Sequence, residues 1–253
     1  MLGFCIKPDP GSGCLSKARQ NTQCQALSGC QKIIRRIRPP LKNDDPKGNP
    51  MIKLYGAPLS NYYNMIKVAL IEKGLSFEEV LTPPSQDAGY LAKSPMGKIP
   101  CIETPDGFLA ESIAILEYLE AVAPSPSLLP GTAFEQAKVR EIAQVIELNI
   151  ELVARRGFGA LRGKPVAESV AADLARDLPK GCAAVARLTQ FGPFIQGDEM
   201  TYADIVGFFS FILANRAAKA VIEVDLLSLI PGAPAWFEMM QARPSVVRAL
   251  ADQ

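Results

Sequence analysis

The hydrophobic period of this chain changes once, near residue 130, and that change dictates its fold class. Before it, short alternating segments trade places with short helical ones. Met51-Ile52-Lys53-Leu54-Tyr55 alternates and stops at Gly56, as a strand does. Pro58 to Asn64 reads as a turn rich in Pro, Ser and Asn, and Ile66, Ala69 and Leu70 follow at helical spacing up to Gly74. Phe77 to Leu81 reads as a second strand and Gln86 to Lys93 as a short irregular helix. Ile99 to Glu103 and Phe108 to Ala110 form a hairpin around Pro105-Asp106-Gly107. Ile115, Leu116 and Leu119 then lay a helix on the small sheet. Pro124, Pro126 and Pro130-Gly131 break the chain, and everything beyond them has helical period. Val139, Ile142, Ile146, Ile150 and Val153 make one apolar stripe; Ile205, Phe208, Phe209, Ile212 and Leu213 make a stronger one. The second opens with a capping-box pattern, Thr201 and Asp204, flanked by Met200 and Ile205 at staple spacing. The predicted architecture is an α/β half, βαβ then ββα, over residues 51–129, and an all-α bundle over 132–253.

Residues 1–50 are a different kind of chain. They carry nine Lys or Arg against three Asp, whereas residues 51–253 carry 18 against 23, a net charge of −5. The leading segment lacks Tyr, Trp and Val and ends in Pro/Gly-punctuated sequence, so it reads as an extension outside the core. Its cysteines, Cys5, Cys14, Cys24 and Cys30, show no C-x2-C spacing, which argues against zinc. Ile33 to Arg38 has the basic, partly amphipathic character of a targeting or anionic-surface element, and no apolar core of a secretory signal is present. The reading favoured here is an artefact of start-site choice, with Met51 the natural first residue.

Composition excludes several chemistries. The chain has no histidine, so a Ser-His-Asp triad, a Cys-His pair and a His-bearing metal site are ruled out, and no metal is expected. No uninterrupted run of about 18 apolar residues is present, which argues against a membrane span. The acidic balance of residues 51–253 and the lack of a Gly-rich phosphate loop argue against nucleic acid.

Three segments in order carry a resemblance: Ser94-Pro95-Met96-Gly97-Lys98-Ile99-Pro100 before the hairpin, Ala110-Glu111-Ser112 at the last helix start of the α/β half, and Thr201-Tyr202-Ala203-Asp204-Ile205 in the helical half. Together they resemble the cytosolic glutathione S-transferases of bacterial type, over residues 51 to about 250. The resemblance implies a thioredoxin-like domain followed by a helical bundle, glutathione as co-substrate, a small electrophile as second substrate, a homodimer and a cytoplasmic location. It makes the Ile99-Pro100 bond cis and gives the Ile99 backbone to the cysteine of glutathione as a free strand edge. An ordinary strand-entry proline is the alternative. Ser112 would bind the γ-glutamyl carboxylate, and Glu111 the peptide's ammonium or main chain, at a helix N-terminus suited to an anion. A plain N-cap is the alternative there. Lys98 would pair with the glycyl carboxylate, or be an ordinary surface lysine.

The thiolate needs a donor, and Pro58-Leu59-Ser60-Asn61-Tyr62-Tyr63-Asn64 offers two. Ser60 falls where the Ser-type classes keep their serine, and the amide of Asn61 could do the same task; either could instead merely cap the helix. Tyr62 falls where the cysteine-type classes keep their thiol, which excludes a mixed disulfide at that position. Tyr55 ranks below both donors, and Cys101 and Cys182 read as packing residues. Val153, Phe158 and Phe208 are expected near the second substrate. A glutathione-dependent peroxidase or thiol reductase of the same fold, or a non-catalytic glutathione-binding relative, is the alternative to a transferase.

Overall fold

Strand β1 (Ile52–Gly56) buries Ile52 and Leu54 completely on one face, as its alternation requires. In this computed structural model the described residues are 51–251, so the basic extension and its competing readings lie outside them. The strand ends where the Tyr63 ring presses on Gly56: a Cβ there would stand 2.3 Å from a ring carbon. Glycine thus lets helix α1 (Asn61–Glu72) fold straight back onto the strand. Gly56→Ala is expected to lower stability by about 1–3 kcal/mol, seen as a lower urea midpoint at unchanged slope.

Helix α1 starts at Asn61, so the expected turn over residues 58–64 is corrected to one that ends at Ser60, the N-cap. Asn61 and Asn64 are buried in the helix with partners of their own, Asn64 donating to the Pro58 carbonyl at 2.7 Å. Their polarity hid the helical period.

Strand β2 (Phe77–Leu81) has the expected bounds and pairs parallel with β1. Helix α2 is shorter than expected, Ala88–Leu91. The hairpin is β3 (Cys101–Thr104) and β4 (Gly107–Ala110), and β3 runs antiparallel to β1, giving the order β2-β1-β3-β4. β3 begins two residues later than expected, since Pro100 has no N–H to give a ladder. Helix α3 (Ser112–Val122) buries Ile115, Leu116 and Leu119, as predicted.

In the second half, α4 (Ala133–Ile146) is followed without a break by a π-helical turn, Glu147–Glu151, and one α turn, Leu152–Ala154. Then come α5 (Glu168–Leu188), α6 (Tyr202–Ile222), α7 (Ala233–Gln241) and α8 (Pro244–Leu250). The stripe Val139 to Val153 is buried along its whole length, across the π turn. The half is not wholly helical: β5 (Gln190–Phe191) and β6 (Gln196–Gly197) pair around the helix-breaking Gly192-Pro193.

Helix α6 is the central element and packs against α1, α4 and α5. By length and composition it is long and apolar enough to cross a membrane, which qualifies the expectation drawn from uninterrupted runs; 61% of its apolar window is buried inside the protein. Its start is held as predicted, with Asp204 accepting from the Thr201 N–H at 2.9 Å. One apolar cluster runs through α1, α3, α4 and α6, so the sheet and the helices share a core.

Candidate active site

The strand register builds a rim. Tyr55 pairs with Cys101, and Cys101 with Ala110. The end of β1, the start of β3 and the end of β4 therefore lie side by side, and the segments leaving them hold Ser60, Lys98-Ile99-Pro100 and Glu111-Ser112. Residues far apart in sequence converge because antiparallel pairing alternates strand ends.

At the centre of the rim the Ile99-Pro100 bond is cis. The Lys98 carbonyl accepts from the Tyr90 hydroxyl at 3.1 Å and the Ser94 hydroxyl at 2.8 Å, pinning the loop from below. The Ile99 N–H and C=O make no hydrogen bond among the described residues. They form a free edge to which an extended peptide can add. Lys98 is exposed beside it.

At the β4–α3 junction Glu111 has φ 70° and ψ 118°, a left-handed backbone that disfavours any residue with a Cβ, by of order 1–3 kcal/mol. Its side chain does not cap α3. Ser112 is buried, and its hydroxyl has no partner among the described residues. The junction thus presents first-turn amides, a hydroxyl and the positive end of α3 with no acceptor among the described residues.

Across the rim, Ser60 accepts from the Tyr63 N–H at 3.3 Å. That bond uses a lone pair and leaves the hydroxyl hydrogen without an acceptor among the described residues, so capping and donation are compatible. Asn61 differs. Its side chain points inward, its Nδ2 donating to Glu151 Oε1 at 2.9 Å and to the Phe209 carbonyl at 3.5 Å, while its Oδ1 accepts from Arg155 Nη2 at 2.9 Å. Tyr55 donates to Glu103 at 2.5 Å, with the Lys93 ammonium 4.3 Å from its ring centre. Burial, and then the Glu103 carboxylate, push this phenol up to about 12.

Both predicted packing cysteines are fully buried. Burial raises the Cys101 thiol, and pushes that of Cys182 up to about 12, so neither is a thiolate near neutrality. For the second substrate the expectation is corrected in part. Phe208 is fully buried against Phe209 and Phe237, with ring centres at 5.2 and 4.8 Å, and Val153 is buried as well. Phe158 remains, half-buried, with the Arg155 guanidinium 5.2 Å from its ring centre.

Sequence reasoning missed Glu147, Glu151 and Arg155. Burial raises the Glu147 and Glu151 carboxyls, the nearby Arg155 charge opposing it. Their spacing of four along a helix was the available signal, and it looks the same as a solvated ion-pair face.

The family model described as the glutathione S-transferase N-terminal domain matches residues 54–127. A glutathione S-transferase of Pseudomonas putida is 43% identical over 204 residues, covering 80% of this chain and 93% of that protein. Among solved structures, a glutathione S-transferase from Rhodospirillum rubrum superposes with a TM-score of 0.64 at 27% identity, over 80% of this chain and 93% of that one. A maleylacetoacetate isomerase from Anaeromyxobacter dehalogenans, with glutathione bound in its active site, does so with a TM-score of 0.64 at 25% identity, over 79% and 95%. The sheet-then-bundle architecture is thus the expected thioredoxin-like domain with its helical partner, and the chain belongs to the glutathione S-transferase family.

Proposed function

We propose that this transferase activates glutathione with Ser60, whose hydroxyl donates to the glutathione thiolate in the manner of the Ser-type classes. The observation that carries the reading is the Ser60 hydroxyl itself: it sits at the α1 N-terminus on the rim that holds Ile99, and its hydrogen is uncommitted among the described residues. A donor there favours the charged sulfur over the neutral thiol, and the thiolate is the attacking species. No general base is needed beyond solvent, which suits a chain without histidine.

In this reading glutathione lies along the rim of a glutathione-binding domain spanning residues 51–129. Its cysteine pairs with the Ile99 backbone beside Pro100, its γ-glutamyl carboxylate meets Ser112 and the α3 amides, Glu111 faces its ammonium, and Lys98 its glycyl carboxylate. The isomerase with bound glutathione supports this use of the fold. The second substrate is a small electrophile approaching from the all-α domain, residues 132–253, on the side of Phe158. Glu111→Ala and Ser112→Ala should each weaken glutathione binding by about 1–3 kcal/mol, the usual loss when one partner of a charge-assisted bond is removed. Calorimetric titration with glutathione reads this, and wild-type affinity in both variants would contradict the placement.

The same reading has the chain acting as a homodimer in the cytoplasm, in a detoxifying role. Leu148 and Leu152, one turn apart and both exposed, give a second copy apolar surface to cover. The unpaired thiols of Cys101 and Cys182 suit a reducing compartment. Light scattering at micromolar concentration should return twice the chain mass; the mass of one chain would refute the dimer.

A further inference from the structure

We infer that Asn61, Glu151 and Arg155 are a positioning unit through which the helical half aims the Ser60 hydroxyl at the glutathione sulfur. This rests on the Ser60 reading above and assigns Asn61 a part other than direct donation. The three side chains close a ring: Asn61 Nδ2 donates to Glu151 Oε1 at 2.9 Å, Arg155 Nη2 forms an ion pair with the same oxygen at 2.7 Å, and Arg155 Nη2 donates to Asn61 Oδ1 at 2.9 Å. Asn61 is the residue after Ser60, and the partners of its side chain all lie on the helical half. The Arg155 guanidinium is held in place by the rings of Tyr62, 4.9 Å away, and Phe158, 5.2 Å away.

Ser60 depends on such a hold. Its own bond to the Tyr63 N–H is long, at 3.3 Å, so the direction of its hydroxyl follows the backbone of the first α1 turn. Glu151 is fully buried and ends the π-helical turn. That turn is itself clamped by α5, since a Cβ on Gly181 would lie 2.6 Å from the Asn149 carbonyl oxygen. A wide turn of this kind is a recurrent device at functional sites.

Stability alone is a poor reason for the ring. A buried ion pair usually does no better than apolar packing of equal volume, and here Glu151 Oε2 and Arg155 Nε are buried with no hydrogen-bond partner among the described residues. What the ring supplies is a fixed position for the residue after Ser60. The charge of Glu147, on the π turn, acts on Tyr62 and is itself opposed by Arg155, while the charge of Glu111, on the sheet rim, acts on Glu147.

The test titrates the thiolate absorbance of glutathione bound to the full chain, and measures kcat and KM with a chromogenic electrophile. Asn61→Ala and Glu151→Ala should each raise the pKa of the bound thiol and lower kcat at neutral pH by about threefold to tenfold, with KM for glutathione little changed. Glu151→Gln keeps the acceptor of Asn61 and Arg155 and should recover most of the loss. Asn61→Ser supplies the same test if Glu151→Ala does not fold. In a Ser60→Ala background, Asn61→Ala should add nothing. A wild-type titration curve in Asn61→Ala, or effects of Ser60→Ala and Asn61→Ala that simply add, would overturn the inference. If Ser60→Ala itself leaves the titration unmoved, the Ser60 reading falls and the positioning role falls with it; if only Asn61→Ala leaves it unmoved, the positioning role falls alone.

Discussion

Ser60→Ala should lower kcat at pH 7 by roughly 10- to 100-fold while leaving KM for glutathione almost unchanged. A hydrogen bond to a charged group contributes about 1.5–3 kcal/mol, and one pKa unit corresponds to about 1.4 kcal/mol. Losing the donor therefore raises the bound thiol by about one to two units, toward the ordinary thiol value of about 8.5. Less thiolate is then present at neutral pH, and less product forms. Above about pH 9 both proteins hold ionised sulfur, so their rates should converge. In the proposed placement the peptide's own contacts lie on Ile99, Glu111 and Ser112, so KM should stay constant. The helix survives: the lost cap bond is long, and N-cap removal costs about 0.5–2 kcal/mol. Profiles of kcat against pH check this, and curves that stay parallel up to high pH would refute the role of Ser60.

Asp204→Ala should destabilise the fold by about 3–5 kcal/mol, since several buried donors lose their acceptor at once and each costs about 1–3 kcal/mol when left unpaired. Asp204 has no exposed surface and accepts from the Ile195 N–H at 2.8 Å, the Thr201 N–H at 2.9 Å, the Thr201 hydroxyl at 3.0 Å and the Trp236 indole at 2.9 Å. Alanine leaves all of these donors without their acceptor, in the buried interior under α6. The same carboxylate ties the start of the central helix to α7 through Trp236 and to the segment before β6 through Ile195. Urea denaturation measures the loss, and a fall of under about 1 kcal/mol would contradict the account.

What could be read from sequence was local. The bounds of β2 come from its flanking turn residues, the hairpin from Pro105-Asp106-Gly107, and the start of α6 from Thr201 and Asp204 three residues apart. The rim was legible only through the motif segments, since the register that unites them depends on strand pairing across about 50 residues. The start of α1 was misread because Asn61 and Asn64 are helical and buried, against their turn-forming preference. The ring of Asn61, Glu151 and Arg155 left only an ambiguous local trace. Its bonds span 90 and 94 residues, and Glu151 and Arg155 alone look like an exposed i,i+4 pair. Phe208 was placed at the substrate side because an apolar stripe gives no measure of depth; α7 covers it with Phe237.

Glutathione bound on the proposed Ile99–Ser112 rim should carry its sulfur as thiolate, and that ionisation can be read directly. The most direct measurement is a difference-absorbance titration of glutathione bound to the wild-type chain. The bound thiol should ionise about one or more units below the free value of about 8.5, with Ser60→Ala returning it toward that value. A bound thiol that titrates with free glutathione in the wild-type protein would contradict it.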